Sequence, residues 1–283
     1  MAFIEIKHLT HVFKSNDEKK DGLKALDDIN LNIDKGEFIA VIGVNGSGKS
    51  TLAKHLNGLL LPTEGACFVD GIKVEDSEEI WKVRQKVSMV FQNPDNQIIA
   101  TIVEDDIAFG PENMGLPREE IRKRVEFALQ SLHIEHLRKF APHLLSGGQK
   151  QLTAIAGAIA MRTNCLILDE PTAMLDPQGR IAVMNALKEL HEKYNMTIIM
   201  ITHFMEEAMQ AQRIVVMDNG KIVQDGTPEQ IFADRQKLRS LGLEVPLSVD
   251  MAAELKKRGV KIAGNVFTAE QLAAELEKIV LCQ

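Results

Sequence analysis

Residues 37–50, EFIAVIGVNGSGKS, give the strongest indication of the fold. Residues 37–42 are a short apolar run of the kind found in buried parallel strands. A glycine-rich octet follows at 43–50, and beyond it leucines recur at helical spacing, which predicts a helix over 50–60 that Pro62 ends. A strand that passes through a glycine loop into a helix predicts an α/β fold.

The octet fits the pattern GxxxxGK[ST], whose glycines let backbone N–H groups converge on phosphate oxygens at the start of a helix. In this pattern Lys49 reaches the β- and γ-phosphates, and Ser50 offers its hydroxyl to Mg²⁺. A flexible glycine turn without function is the alternative, but the flanking strand and helix favour phosphate binding. The predicted nucleotide-contacting residues of this loop are Gly43, Asn45, Gly46, Ser47, Gly48, Lys49, Ser50 and Thr51.

The composition is that of an ordinary folded protein and argues against several functional classes. The chain has 283 residues, of which 45% are hydrophobic and 26% charged, and its formal net charge is −7. This acidic balance argues against a broad nucleic-acid footprint. Cys67, Cys165 and Cys282 lie far apart without CxxC spacing, so we expect neither a disulfide framework nor a zinc site. No apolar run approaches the roughly 18 residues of a membrane helix, so we expect no membrane span. Glu5 lies where a signal peptide is apolar, so we do not expect export by way of a signal peptide.

Other patterns complete the predicted sheet and separate a tail from it. The apolar runs 165–168 and 197–201, with a helical pattern between them at 181–192, predict a parallel βαβ unit. Because the composition shifts after Gly226, we predict one domain over 1–226 and a small extension over 227–283. Further predictions are strands at 3–12, 25–33 and 86–91, hairpins at Asp70-Gly71 and Asn219-Gly220, and helices at 118–132, 228–232, 248–257 and 269–279.

The strand at 165–168 leads into a pair of carboxylates, Asp169 and Glu170. Asp169 can hold the Mg²⁺ shell, while Glu170 can polarise an attacking water, so this pair predicts hydrolysis. An acidic helix cap is the alternative reading, and it suits Asp176, before Pro177, better than it suits the pair. No Asn-Lys-x-Asp pattern supports a preference for GTP.

A second glycine turn, Leu145-Ser146-Gly147-Gly148-Gln149, also precedes a helical pattern, at 151–161. Ser146 is a good N-cap, so this turn can present helix N–H groups to an anion. Alone the turn is a weak signal. Together with the first loop and the acidic strand it is highly specific.

Over residues 3–226 the sequence resembles the ATP-binding-cassette (ABC) ATPases. The octet is similar to their Walker A loop, residues 166–170 to Walker B and residues 145–149 to their signature. The resemblance implies a P-loop NTPase with a RecA-like core, an antiparallel β subdomain, a helical subdomain at about 93–160 and a C-terminal dimerisation extension. It also implies ATP and Mg²⁺ as ligands, with Ser146, Gly147, Gly148 and Gln149 capping the ATP of a second cassette.

The same resemblance gives roles to four further residues, each with a simpler alternative. Gln92 matches the family's Q-loop glutamine, a metal ligand, or is a turn residue beside Asn93. His203 matches the switch histidine that contacts the γ-phosphate, or is a strand-end surface histidine. Phe13 stacks on adenine or packs within its sheet. Asp176, at the end of the D-loop at 173–176, is expected at the nucleotide.

A narrower resemblance, to the ATPases of energy-coupling factor (ECF) transporters and more to the first of their two paralogues, rests on residues 92–97, 103–110, 115–120, 201–208 and the tail around 244–260. It implies uptake of a vitamin or metal ion from a peripheral position on the cytoplasmic face of the cell membrane. The implied partners are a second ATPase, favoured as a paralogue over a second copy, a transmembrane coupling subunit and a substrate-capture membrane subunit. Leu152 departs from the family, which commonly has Arg there, and its effect on the helical subdomain stays open.

Two other functions are alternatives to this interpretation. The first is a soluble ABC ATPase that acts on nucleic acid or as an assembly scaffold. Members that act on ribosomes usually fuse two cassettes in one chain, whereas this sequence shows one, and its acidic balance offers no phosphate-backbone footprint. A P-loop kinase would pass phosphate to a small acceptor. The glycine turn at 145–149 and the segment 173–176 argue against the kinase.

Overall fold

The structure, a computed structural model, describes residues 2–14, 22–262, 266 and 269–281. Its strands are β1 (Ile4–Phe13), β2 (Leu23–Ile33), β3 (Phe38–Ile42), β4 (Glu64–Val69), β5 (Ile72–Lys73), β6 (Val87–Val90), β7 (Cys165–Asp169), β8 (Thr197–Ile201), β9 (Arg213–Asp218) and β10 (Lys221–Gly226). Its helices are α1 (Lys49–Leu56), α2 (Ile80–Arg84), α3 (Val103–Asn113), α4 (Arg118–Ser131), α5 (Gly147–Ala160), α6 (Pro177–Tyr194), α7 (Met205–Ala208), α8 (Pro228–Ala233), α9 (Arg235–Ser240), α10 (Leu247–Lys257) and α11 (Ala269–Leu281).

A six-stranded sheet in the order β10-β9-β3-β8-β7-β6 forms the centre of the fold. All neighbouring strands in it are parallel except β10, which runs antiparallel to β9. Every residue of β3, β7 and β8 is buried, as expected for parallel strands covered on both faces. The α/β fold and the βαβ unit β7-α6-β8 predicted from sequence are therefore confirmed.

A second sheet, in the order β2-β1-β4-β5, is entirely antiparallel. Its hairpin turns at Asp70-Gly71, where both residues have positive φ as a type I′ turn requires. The hairpin between β9 and β10 turns in the same way at Asn219-Gly220. Both hairpins were predicted from these dipeptides. The inner face of this sheet shares one apolar core with α1 and the central sheet.

Helix α1 ends earlier than its sequence predicts. The helix stops at Leu56 rather than at residue 60, because Asn57 is its C-cap and Gly58 follows with φ +68°. A Cβ on Gly58 would lie 2.1 Å from the Ile80 side chain. The prediction that Pro62 ends the helix was therefore wrong, and the positive φ of Gly58 favours glycine at this point.

Helices α3, α4 and α5 pack together beside the carboxyl end of β6. Helix α3 has no counterpart in the sequence predictions, because Gly110-Pro111 within it is typical of a turn. Pro111 is tolerated in the last turn of α3, and a Cβ on Gly110 would lie 2.4 Å from the Met161 sulfur. Leu152 is buried in the core of this region, so an apolar side chain is accommodated where related proteins commonly have arginine.

The C-terminal segments divide between two cores. Helices α8 and α9 bury Phe232 and Leu238 in the main core, whereas α10 and α11 share a small cluster that includes Ala252 and Leu272. The three predicted tail helices are present, and α9 is additional. The division at residue 226 stays a prediction. In the described ranges no helix combines the length and apolarity that crossing a bilayer demands.

Candidate active site

The polar residues picked out from sequence lie at the carboxyl edge of the central sheet. The glycine loop follows β3, Asp169 is the last residue of β7 and Glu170 follows it, and His203 follows β8. Gln92 follows β6. Because β3, β8, β7 and β6 are adjacent and parallel, their loops leave the same edge, where open α/β sheets bind ligands.

The glycine loop turns sharply into α1. Gly46 and Gly48 have φ of +82° and +102°, which favour glycine, and a Cβ on Gly48 would lie 2.5 Å from the Ala25 carbonyl oxygen. Gly48 is the N-cap of α1, and no side chain caps this helix end. The first-turn N–H groups of α1 therefore have no intrahelical or capping partner and can bind an anion.

The surroundings of the Lys49 side chain favour phosphate binding. Its side chain is buried, the residue being 5% exposed, and Nζ donates to the carbonyl oxygens of Gly43 at 2.8 Å and Val44 at 3.0 Å. Burial lowers the pKa of Lys49, although the nearby Glu170 and Asp169 carboxylates oppose this. Ser47 is 1% exposed, and its buried Oγ has no hydrogen-bond partner in the part of the chain that the structure describes. A phosphate would stabilise the ammonium and satisfy the orphan hydroxyl.

Ser50 and Asp169 suit a magnesium ion. Ser50 Oγ donates to Asp169 Oδ1 at 2.9 Å, so a hydroxyl and a carboxylate oxygen face one another beside the glycine loop. Burial raises the pKa of Asp169, while the Ser50 hydrogen bond opposes that shift. No group of three or more His, Cys, Asp or Glu in the described parts of the chain is arranged to hold a metal. Two hard oxygen donors fit Mg²⁺, which takes its remaining ligands from substrate phosphates and water.

Glu170 is held between two of the other predicted residues. Gln92 Nε2 donates to Glu170 Oε2 at 2.9 Å, and His203 Nδ1 lies 3.6 Å from the same oxygen. Glu170 itself has φ +50°, and its N–H donates to the Ile201 carbonyl of β8 at 3.0 Å. The structure thus brings Gln92, Glu170 and His203 together. The role of Gln92 as a metal ligand stays a prediction, since its amide contacts Glu170.

The second glycine turn forms a complete capping box at the start of α5. Ser146 Oγ accepts from the Gln149 N–H at 3.3 Å, and Gln149 Oε1 accepts from the Ser146 N–H at 2.9 Å. Ser146 and Gly147 are exposed. No hydrogen bond or ion pair among the described residues joins this turn to the glycine loop after β3, so within one chain the two anion-binding turns are separate.

Asp176 caps helix α6, whose first turn packs against the second glycine turn where Gly179 meets Gly148. Its Oδ1 accepts from the Gly179 N–H at 3.1 Å, which confirms that Asp176 caps α6. A Cβ on Gly148 would lie 2.9 Å from the Gly179 Cα. The first turns of α5 and α6 therefore touch backbone to backbone, so each sets the position of the other.

We expect Gly148→Ala to impair ATP hydrolysis, because the new methyl group must push α5 and α6 apart. Gly157→Ala is the matched control, because it lies in the same helix and a Cβ there would meet no described atom within 4 Å outside the backbone of that helix. Chemical denaturation should show Gly157→Ala stabilised by about 0.5–1 kcal/mol and Gly148→Ala destabilised by about 1–3 kcal/mol. Equal stability and equal ATPase rates for the two variants would contradict the proposed backbone contact.

One further residue from the sequence predictions, Phe13, lies at the surface. Phe13 is 41% exposed, and its ring meets that of His11 edge-on with the centroids 4.5 Å apart. Its ring is thus not enclosed within the sheet, and stacking on adenine stays a prediction. Lys150, directly after the second glycine turn, pairs with Asp95 at 2.7 Å and so joins α5 to the segment that follows Gln92.

Sequence reasoning missed one buried carboxylate, Glu207. It accepts hydrogen bonds from the hydroxyls of Thr172 and Thr202, which lie in the loops that carry Glu170 and His203. Only burial distinguishes Glu207 from its exposed neighbour Glu206, and burial arises from tertiary packing. No signal in the sequence separates the two.

Comparison with known proteins is consistent across sequence and structure. The sequence profile of the ABC transporter family matches residues 26–173. The chain is 54% identical to the energy-coupling factor transporter ATP-binding protein EcfA1 of Clostridium novyi (strain NT) over 273 residues, covering 96% of this chain and 97% of the relative. It is 50% identical to the EcfA1 protein of Caldanaerobacter subterraneus subsp. tengcongensis, covering 96% of this chain and 98% of that relative.

Two solved structures share the fold. One is cbiO1 from Clostridium perfringens, described as part of the ABC transporter complex cbiONQ, with a TM-score of 0.76 and 38% identity over 90% of this chain and 99% of that one. The other is the ATP-binding cassette MJ0796, in a dimeric post-hydrolysis state bound to ADP and Pi, with a TM-score of 0.71 and 32% identity over 80% of this chain and 98% of that one.

Proposed function

The chain belongs to the ABC transporter family and, within it, to the ATP-binding proteins of energy-coupling factor transporters, and we propose that it hydrolyses ATP at the loops that follow β3, β6, β7 and β8. The observation that carries this assignment is the Glu170 carboxylate, which accepts a hydrogen bond from Gln92 and lies beside His203. Glu170 directly follows Asp169, whose oxygen faces the Ser50 hydroxyl. A base for water therefore lies beside a magnesium-binding pair.

The proposed reaction is attack of water on the γ-phosphorus. Glu170 accepts a proton of the attacking water, the new P–O bond forms, and the bond to the β,γ-bridging oxygen breaks to give ADP and phosphate. Lys49 and the first-turn N–H groups of α1 neutralise the charge on the phosphates, and His203 donates to the γ-phosphate. Ser50 and Asp169 would hold Mg²⁺, which would supply further charge neutralisation at the phosphates.

We propose that a second ATPase subunit completes the site. Ser146 and Gly147 of the second glycine turn are exposed, and among the described residues no hydrogen bond or ion pair joins this turn to the glycine loop of its own chain. We therefore infer that the anion at this helix N-terminus comes from another protomer. ATP then lies between the glycine loop of one subunit and Ser146, Gly147, Gly148 and Gln149 of the other, with Asp176 at the seam. A paralogue is favoured over a second copy, because the sequence is more similar to the first of two paralogous ATPases.

The membrane partners are proposed from the family. A transmembrane coupling subunit would dock on the segment at 93–99, which includes the short 3₁₀ turn Pro94–Asn96 and Ile99, whose side chain is 61% exposed. A separate substrate-capture subunit would bind the vitamin or metal ion. The chain would then act at the cytoplasmic face of the cell membrane as a peripheral subunit, without nucleic acid.

Co-purification and transport assays test this function. A tagged copy expressed in its native cell should retain a second ATPase and two kinds of membrane subunit, and the complex in proteoliposomes should take up its solute only with ATP. Charge reversal at Asp95 should weaken assembly, whereas reversal of the exposed Lys82 should not. An isolated, strictly monomeric chain that hydrolyses ATP as fast as the complex would contradict the shared site, and phosphate found on an acceptor instead of free would indicate a kinase.

A further inference from the structure

A buried carboxylate joins the two loops that carry Glu170 and His203. Glu207, 5% exposed, accepts from Thr172 Oγ1 at 2.6 Å and from Thr202 Oγ1 at 2.7 Å. Both threonines are buried as well. Thr172 lies two residues after Glu170, and Thr202 directly precedes His203. One side chain therefore bridges the ends of β7 and β8.

The direction of these hydrogen bonds is fixed by their surroundings. Thr202 Oγ1 already accepts the Phe204 N–H at 3.0 Å, so its hydroxyl proton is directed to Glu207. The Thr202 N–H donates to the Val41 carbonyl of β3 at 3.2 Å. The bridge is thereby connected to the strand that leads into the glycine loop. Both bonds to Glu207 are short, as expected for hydroxyl donors to a carboxylate.

The contact between Glu170 and His203 needs external support. Their closest nitrogen and oxygen are 3.6 Å apart, too far for a direct hydrogen bond to fix the pair. Glu170 also has a left-handed backbone, φ +50°, which a residue with a side chain adopts only where its surroundings enforce it. The Glu170 N–H bond to Ile201 and the Thr172 bond to Glu207 hold this segment on both sides.

We propose that Glu207 is a positioning residue for ATP hydrolysis, which sets the placement of Glu170 and His203 through the hydroxyls of Thr172 and Thr202. The inference rests on the proposed roles of Glu170 and His203. Because Glu207 is buried and accepts from Thr172 and Thr202, its influence on the site passes through these two partners. Stability alone does not favour a carboxylate here, because well-packed apolar side chains commonly replace buried charged groups without loss.

The test uses Thr172→Val, which keeps the shape and removes the hydroxyl, with Thr172→Ser as the matched control that keeps the hydroxyl. We expect Thr172→Val to lower kcat about 10–100-fold with KM and ATP affinity unchanged, since a misplacement of about 1 Å costs up to 10²-fold in rate. Thr172→Ser should stay within about twofold of the wild type. Glu207→Gln, which retains one acceptor oxygen, should fall between them.

The measurements are made on the full chain assembled with its partner subunits, and rates are divided by the folded fraction from thermal unfolding. Unchanged kcat per folded molecule in Thr172→Val and Glu207→Gln would reduce Glu207 to a structural role. If Thr172→Val does not fold, Glu207→Gln and Thr202→Ser decide by the same comparison. Glu170→Gln separates the two hypotheses: if it retains turnover, the proposed role of Glu170 fails, whereas if it is inactive and Thr172→Val is fully active, only the positioning inference fails.

Discussion

Glu170→Gln is expected to abolish steady-state ATP hydrolysis while leaving ATP binding intact. The amide cannot accept the proton of the attacking water, and loss of a general base typically costs 10²–10⁴-fold in rate. The substitution keeps the shape of the side chain, so Gln92 and His203 retain a polar neighbour. Lys49, Ser50 and Asp169, which bind the phosphates and the metal in this proposal, are unchanged.

The experiment measures free phosphate release and ATP affinity in parallel, at protein concentrations that allow subunits to pair. Glu206→Gln is the control, because it makes the same chemical change at an exposed carboxylate nearby in the fold, and it should behave as the wild type. Since unhydrolysed ATP continues to attract both anion-binding turns, Glu170→Gln should also accumulate the paired form during gel filtration with MgATP. Substantial residual hydrolysis would reject Glu170 as the principal catalytic carboxylate.

The loops of this site were predictable because their chemistry is local. Three kinds of residue indicate the local structure around them. They are glycines at positions that need positive φ, an N-cap serine three residues before Gln149, and carboxylates at the end of an apolar strand. The hairpins at residues 70 and 219 follow from dipeptides in the same way. What these patterns predict is the type and place of each segment.

The arrangement of those segments depends on contacts between distant parts of the chain. Strand β8 lies between β3 and β7, and that order brings the three loops together although their residues are far apart in sequence. Gly110-Pro111 is typical of a turn but lies in α3, because α3 packs closely on Met161 at the end of α5. Glu207 and Glu206 are alike in sequence and differ only in burial. Such features are properties of tertiary packing, which local patterns do not contain.

Lys49→Ala is expected to remove most of the ATP affinity, by about 10²-fold, since charged hydrogen bonds contribute about 1.5–3 kcal/mol each. Isothermal titration gives the affinity directly, and the rise in Tm on adding MgATP gives it independently. Lys82→Ala removes an exposed lysine that pairs with Glu79 on the surface, and it should leave both quantities unchanged. An unaltered ATP affinity in Lys49→Ala would contradict the assignment of this loop.

The buried ammonium of Lys49 in the nucleotide-free protein gives a second reason to expect that ATP affinity depends on this residue. Burial lowers the pKa of Lys49, so the ammonium is held at a desolvation cost, which the nearby Glu170 and Asp169 carboxylates oppose. Its Nζ also donates to the carbonyls of Gly43 and Val44. Phosphate binding supplies a further negative partner for the ammonium, which is why ATP should stabilise the wild type strongly. Lys49→Ala has neither the desolvation cost of a buried ammonium nor its attraction to phosphate. The Tm of this variant should therefore be nearly the same with and without MgATP.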